Sequence, residues 1–328
     1  MNSFGKIFKI TLYGESHQPA VGVLIDGMPA GIKLDLNQIK DDLEIRKPGS
    51  LGTTKRIESD ELKIISGLFN EVTTGSPINL IFYNQDIKSK DYSHLIDHPR
   101  PNHADFVSKI KYNGFNDYRG GGRFSGRLTV GIVAAGAIAK QLTSYKSSYQ
   151  ILQIGTQTNP AKFEQYLSEV KNNGDSVGGL VRVIVKGLPV GLGEPMFDKL
   201  DALISQILFS IPAVKAVSFG SELDAHQMLG SVYNDVIINQ TGETKTNHSG
   251  GVVGGLSNGN DLVVNIAVKP TPSIQQPQET YNFKTNQVER LVIGGRHDVA
   301  IIKRIGIVLE NAIAIVLADL YLRNKVYQ

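Results

Sequence analysis

Nine residues, Arg119-Gly120-Gly121-Gly122-Arg123-Phe124-Ser125-Gly126-Arg127, set three arginines among four glycines directly ahead of a small apolar run over 128–142. Glycine has no Cβ, so backbone N–H groups there can approach a ligand closely. Arginine adds a planar, permanently charged fork that fits carboxylate and phosphate. A helix opening after the loop would contribute the positive end of its dipole. Two histidines stand in similar settings. His17 follows Gly14, Glu15 and Ser16, which offer backbone access, a carboxylate to orient a ring and a hydroxyl. His103 lies in Pro99-Arg100-Pro101-Asn102-His103-Ala104-Asp105, where two prolines stiffen the backbone. Lys269-Pro270-Thr271-Pro272-Ser273 joins a cation and two hydroxyls to a rigid turn, as a phosphate cradle would, and Gly294-Gly295-Arg296-His297-Asp298 precedes the last helix. Taken singly, each stretch reads equally as an exposed turn with solvated charges. Together they point to a small polyanion gripped by arginines, with histidines moving protons.

The elements that must position these loops follow from periodicity. Residues 6–13 and 20–25 read as strands with His17 in the turn between them. Asp35 with Gln38 resembles a capping box opening a helix whose apolar face is Leu36, Ile39 and Leu43. That helix stops at Pro48-Gly49 and carries Arg46 and Lys47 at its end, with a second basic pair at Lys55-Arg56. Strands are expected over 62–69, 78–83, 180–185 and 262–268, and helices over 105–112, 161–173 and 198–209. The run 299–322 is apolar but interrupted by Lys303, Arg304, Glu310, Asn311 and Asp319, which predicts a buried helix with one wet side rather than a bilayer span.

Composition narrows the class. The 328 residues can bury a large core, and no linker or fixed-period repeat divides them. Absence of cysteine excludes disulfides and thiolate metal sites and fits a reducing, cytoplasmic setting. The first residues lack the apolar core of a signal peptide. A net charge of +3, no tryptophan and aromatics lying mostly in apolar runs argue against nucleic acid. No P-loop, dinucleotide fingerprint or H-E-x-x-H stretch occurs.

Five of these stretches and a sixth rich in glycine, Ser249 to Gly259, resemble chorismate synthase in this order: residues 14–17, 100–105, 119–127, 249–259, 269–273 and 295–298. The resemblance covers almost the whole chain. It implies an α+β fold, a single large β-α-β sandwich domain spanning 1–328, and a cytoplasmic homotetramer without nucleic-acid or membrane partners. It also implies a lyase of the shikimate pathway that makes chorismate from 5-enolpyruvylshikimate 3-phosphate, the last common step to the aromatic amino acids. The reaction is a 1,4-anti elimination without net redox change that nevertheless needs reduced FMN, with NADPH as reductant in some members. By this resemblance Arg46, Arg100, Arg127 and Arg296, with Ser16 and Arg56, hold the substrate's two carboxylates and phosphate. His17 matches the acid that protonates the departing phosphate, His103 the residue that stabilises the reduced flavin anion, and Asp298 the carboxylate near flavin N5. The flavin is expected across Arg123, Phe124, Ser125, Pro212, Ala213, Gly254, Lys269, Pro270, Thr271, Pro272 and Ser273, reaching Arg296.

The chain departs from the family pattern at Gln18 and Asn102, both usually glycine, and at Leu128, often glutamate. Ile45, Lys47 and Gly52 thin an arginine-rich clamp. Asparagine at 102 would tolerate the left-handed backbone a glycine adopts. Two other readings stay open: a flavin-binding relative without elimination activity, and a phosphate- or RNA-binding module.

Overall fold

The computed structural model describes residues 1–49, 52–53, 59–85, 95–294 and 298–327. Its helices are α1 (Leu36–Arg46), α2 (Asp105–Lys111), α3 (Thr129–Leu142), α4 (Phe163–Asn172), α5 (Leu200–Ser210), α6 (Gly230–Tyr233) and α7 (Ile302–Asn324). Two antiparallel sheets enclose the longest of them. The first orders its strands Ser3–Phe4, Lys9–Gly14, Ala20–Asp26, Ile78–Tyr83 and Lys63–Ser66, and the second orders Val214–Phe219, Leu262–Val268, Gly179–Lys186 and Lys146–Ile154. Helix α3 packs on the first sheet and α7 on the second, and the two helices pack on each other. This is a β-α-β sandwich of the α+β class.

Alternation explains the sheets. Val21, Val23 and Ile25 of one strand face inward with Ile78, Leu80 and Phe82 of its neighbour, and Val181, Val183 and Val185 meet Leu262, Val264 and Ile266 likewise. One hydrophobic cluster joins both sheets with α1, α3, α4, α5 and α7. Small residues let α3 and α7 approach: a Cβ on Gly136 would stand 2.3 Å from the Asn311 carbonyl oxygen.

Helix α7 corrects one expectation. It has no wet side, for 94% of its apolar window is buried within the fold, and Glu310, Asn311 and Asp319 are buried with it. Each of these side chains has partners, which is what makes burial tolerable, although Asn311 Oδ1 has none among the described residues. Glu310 meets Ser147 Oγ at 2.7 Å and Lys140 at 2.7 Å, and Asn311 Nδ2 donates to Asp42 at 3.0 Å. Asp319 Oδ1 accepts the backbone N–H groups of Lys6, Ile7 and Phe8 at 2.7–3.0 Å, tying the first sheet to the last helix.

Local signals hold elsewhere with small shifts. Asp35 caps α1 by accepting from the N–H groups of Asn37 and Gln38. The Asp35 N–H itself donates to Gln141 of α3 at 2.6 Å, so that half of the expected box comes from a distant residue. The strand expected over 62–69 breaks at Gly67 into Lys63–Ser66 and Leu68–Phe69.

Candidate active site

Residues of 100–105, 119–127 and 269–273, with Asp298, converge on one cavity of about 1010 Å³, whereas 249–259 contributes nothing to its lining. It opens between the end of α1, the glycine loop before α3, the turn after α5, the end of the strand Leu262–Val268 and the start of α7. Arg46, Arg100, His103, Arg123, Phe124, Ser125, Arg127, Pro212, Ala213, Lys269, Thr271, Pro272, Ser273 and Asp298 all line it.

Ser16 and His17 lie behind the glycine loop, 0% and 6% exposed. Gly120, Gly121 and Gly122 take φ of +57°, +79° and +50°, a run that side chains with a Cβ resist. Gly120 lines the cavity, and a Cβ there would fall 2.4 Å from the His17 ring and 2.9 Å from Ser16 Oγ. One glycine therefore separates His17 from the cavity. The histidine turn is pinned from both sides. Asn84 Nδ2 donates to the Glu15 and Gln18 carbonyls at 3.0 and 2.7 Å, and Gln18 Nε2 donates to Asp117 at 3.0 Å. Asp117 also holds Arg119, so Gln18 couples the turn to the glycine loop. Asn102 sits at φ +55°, the left-handed backbone expected of it.

Carboxylates behind the wall hold most of the arginines. Asp60, with its side chain fully buried, binds Arg46 Nη2 through one oxygen and Arg127 Nη1 through the other. Burial alone would raise the Asp60 carboxyl, but the two guanidiniums outweigh it and hold it below the usual carboxylate range. Burial lowers the Arg46 guanidinium, with Asp60 opposing. Arg127 is fixed further by Asn84 Oδ1 at 2.8 Å and the Tyr83 carbonyl. Arg304 Nη1 reaches both oxygens of Asp298 at 3.3 and 3.1 Å, while its Nε donates to the Arg46 carbonyl at 3.0 Å. Arg100 pairs with Asp105 through Nε and Nη2, each at 2.8 Å, and donates from Nη1 to Ser273 Oγ at 3.0 Å. Burial pushes the His103 imidazole below its ordinary value, with Arg100 and Lys269 acting the same way against Asp105.

The opposite wall is built by strand ends. Lys269 N–H donates to the Ala213 carbonyl at 2.9 Å, and its Nζ donates to the Asn102 carbonyl at 2.8 Å. Ala213 is held at φ +76°, a backbone strain typical of functional turns. Lys215 lines the cavity nearby; burial, then Lys215, lower the Lys269 ammonium. Among the described residues Arg123, Lys215 and Lys269 form no salt bridge, although Glu15 acts on Arg123 through space, and Arg46 and Arg127 share one carboxylate. Positive charge thus exceeds negative around the cavity. Ser16 Oγ and Arg46 Nε are buried polar atoms without a hydrogen-bond partner among those residues, as polar groups awaiting a ligand would be.

Gly254 and Pro270 do not line the cavity, Gly254 standing exposed in the turn between Val252–Val253 and Leu256–Asn258. Arg56 and Arg296 lie outside the described residues. Sequence reasoning missed Asp60, Lys215 and Arg304 as parts of the site. Asp60 and Arg304 have tertiary partners with no local signature, whereas Lys215, two residues after the chosen Ala213, carried a findable signal. Among the described residues no group of histidine, aspartate and glutamate could hold a metal ion.

A β-α-β sandwich with an excess of cations, two histidines and an Arg-bound carboxylate around one cavity defines an enzyme class that processes a small polyanion. Comparison with known proteins makes the class particular. The chorismate synthase family model matches residues 8–322. The chain is 49% identical over 325 residues to the chorismate synthase of Chitinophaga pinensis, covering 99% of this chain and 98% of that one. It is 41% identical over 367 residues to that of Methanocaldococcus jannaschii, covering 99% and 97%. A crystal structure of chorismate synthase superposes with a TM-score of 0.76 at 27% identity, covering 98% of this chain and 93% of that one. The chain belongs to the chorismate synthase family, lyases of the shikimate pathway.

Proposed function

We propose that this chain eliminates phosphate from 5-enolpyruvylshikimate 3-phosphate by the 1,4-anti route, giving chorismate, with reduced FMN in the same cavity. The observation that carries this reading is the surplus of cations on a cavity flanked by His17, His103 and Asp298. Its volume of about 1010 Å³ stands at the upper end of small-molecule pockets, ~300–1000 Å³, and leaves room for substrate and cofactor together.

Arg46 and Arg127, kept in register by Asp60, are suited to the substrate's carboxylates and phosphate, with Ser16 Oγ and Arg46 Nε as unspent donors. Arg56 and Arg296 are assigned to the same task. Arg100 acts through Asp105 and Ser273, since most of its N–H groups are already engaged there. His17, behind Gly120, is assigned to protonate the departing phosphate, and Asp298, oriented by Arg304, to the departure of the ring proton. Lys269 and Ser273, with Lys215 beside them, would hold the flavin phosphate, and residues 123–125 and 212–213 its ring system. When bound, reduced FMN supplies transient electron density that eases carbon–oxygen cleavage. Positioning of this kind, with acid–base help of ~10²–10⁴ per group, accounts for the protein's share of the rate.

The assembly is proposed as a cytoplasmic homotetramer. Leu229, Val232, Val236, Ile237, Ile238 and Val253 are exposed apolar side chains available for subunit contact, and light scattering on purified protein tests it. Anaerobic assay with dithionite-reduced FMN tests the reaction. A second arm with NADPH as the only reductant decides whether the chain reduces its own flavin.

A further inference from the structure

The carboxylate of Asp105, first residue of α2, gathers four contacts. Oδ2 accepts from the Arg100 backbone N–H at 3.1 Å and from Arg100 Nε at 2.8 Å. Oδ1 accepts from Arg100 Nη2 at 2.8 Å and lies 2.6 Å from His103 Nδ1. An imidazole nitrogen and a carboxylate oxygen that close need a hydrogen between them, since two lone pairs would repel. The carboxyl does not supply it. Burial would raise Asp105, but three N–H groups of Arg100 donate to its oxygens and hold it below the carboxylate range, so it is ionised. The hydrogen is therefore on Nδ1. Arg100 Nη2, 3.1 Å from the same Nδ1, then faces an N–H and directs its own hydrogens to Asp105.

We propose that Asp105 is a positioning residue that fixes His103 as the Nδ1–H tautomer and makes Nε2 the only ring atom able to exchange a proton with an occupant of the cavity. A Cβ on Gly121 would stand 3.7 Å from Nε2, so the glycine loop runs along this edge of the ring. Arg100 and Asp105 face the imidazole from its own loop and helix, and Lys269 from the strand end. Burial and the two cations keep the empty ring neutral, with a lone pair on Nε2. An anionic occupant offsets those cations, Nε2 takes a proton from solvent, and Asp105 shares the imidazolium charge. The identity of that occupant rests on the proposed reaction; the tautomer does not.

The test uses full-length, ligand-free protein with ¹⁵N-labelled histidine, read by long-range ¹H–¹⁵N spectra. Wild type is expected to show His103 protonated at Nδ1 and bare at Nε2. In Asp105→Asn the amide oxygen stays where Arg100 donates twice, turning the amide nitrogen toward Nδ1, so the proton moves to Nε2. Turnover with reduced FMN then falls ~10-fold or more, out of the ~10²–10⁴ a positioned acid–base group gives. KM for substrate stays near wild type, as for an interaction made in the transition state, and oxidised FMN still binds. A wild-type spectrum with Nε2–H, or an Asn variant that keeps Nδ1–H, overturns the proposal. If the Asn variant does not fold, the wild-type spectrum decides alone. Wild type with Nδ1–H but no elimination would refute the assigned reaction and leave this inference standing.

Discussion

Asp60 joins two cavity arginines that would otherwise repel, and removing it is the sharpest perturbation the structure offers. Arg46 and Arg127 are 4% and 6% exposed, and Asp60 is the carboxylate between them. Taking one partner from a buried ion pair costs about 3–5 kcal/mol because a desolvated charge is left behind. Here the cavity admits water on one side, so ~3 kcal/mol is the better figure for Asp60→Asn. Asparagine tolerates the φ of +47° found at this position, so the variant isolates charge. Alanine also resists the left-handed backbone, which adds ~1–2 kcal/mol. At ~2 °C per kcal/mol for a long chain, Asn should melt ~6 °C and Ala ~8–10 °C below wild type. The chain has no tryptophan, so far-UV circular dichroism is the probe. Sulfate or phosphate should restore much of the loss by binding between the freed arginines, ~2.7 kcal/mol at a hundredfold excess over Kd, while chloride at equal ionic strength should not. An Asn variant that melts with wild type, or loses stability without regaining it in sulfate, would refute this account of the clamp.

Gly120→Ala should lower turnover and melting temperature together, because its Cβ would meet the His17 ring at 2.4 Å; wild-type kinetics in this variant would show that His17 does not work across that position. His17→Ala and His103→Ala should each reduce kcat by ~10²–10⁴ while keeping the fold by circular dichroism. Asp298→Asn should bind FMN by fluorescence quenching yet turn over poorly, and unimpaired turnover would remove that carboxylate from the mechanism. Asp60 and Asp105 are both held below their ordinary carboxylate values. The unfolded chain therefore takes up protons first as pH falls, so their stabilisation is complete above ~pH 4 and drains below it. Urea midpoints should drop across that acid range in wild type and drop less steeply in Asp60→Asn.

Much of the site was legible because it is made of loops whose residue types carry their chemistry locally. The His17 turn, the glycine run, the proline-held Arg100 and His103, and the lysine after a strand all announce themselves within a few residues and reach one cavity or its immediate wall. The supports were not legible. Asp60 carries no motif of its own in the sequence, yet it binds one arginine 14 residues back and another 67 ahead. Arg304 reads only as one of the charges interrupting the run 299–322, while Lys215, two residues after Ala213, could have been found. The polar residues of α7 read as a wet stripe because burial of Glu310, Asn311 and Asp319 depends on partners in α1, α3, one strand and the bend at residues 6–8 that periodicity does not reveal.

The measurement closest to the central claim is phosphate and chorismate release from 5-enolpyruvylshikimate 3-phosphate by the wild-type chain with dithionite-reduced FMN under strict anaerobiosis. The account predicts one phosphate released for each chorismate formed, over many turnovers, with the flavin still reduced at the end. Tight binding of both ligands without phosphate release, or salt-sensitive binding of RNA with none of FMN, would contradict it.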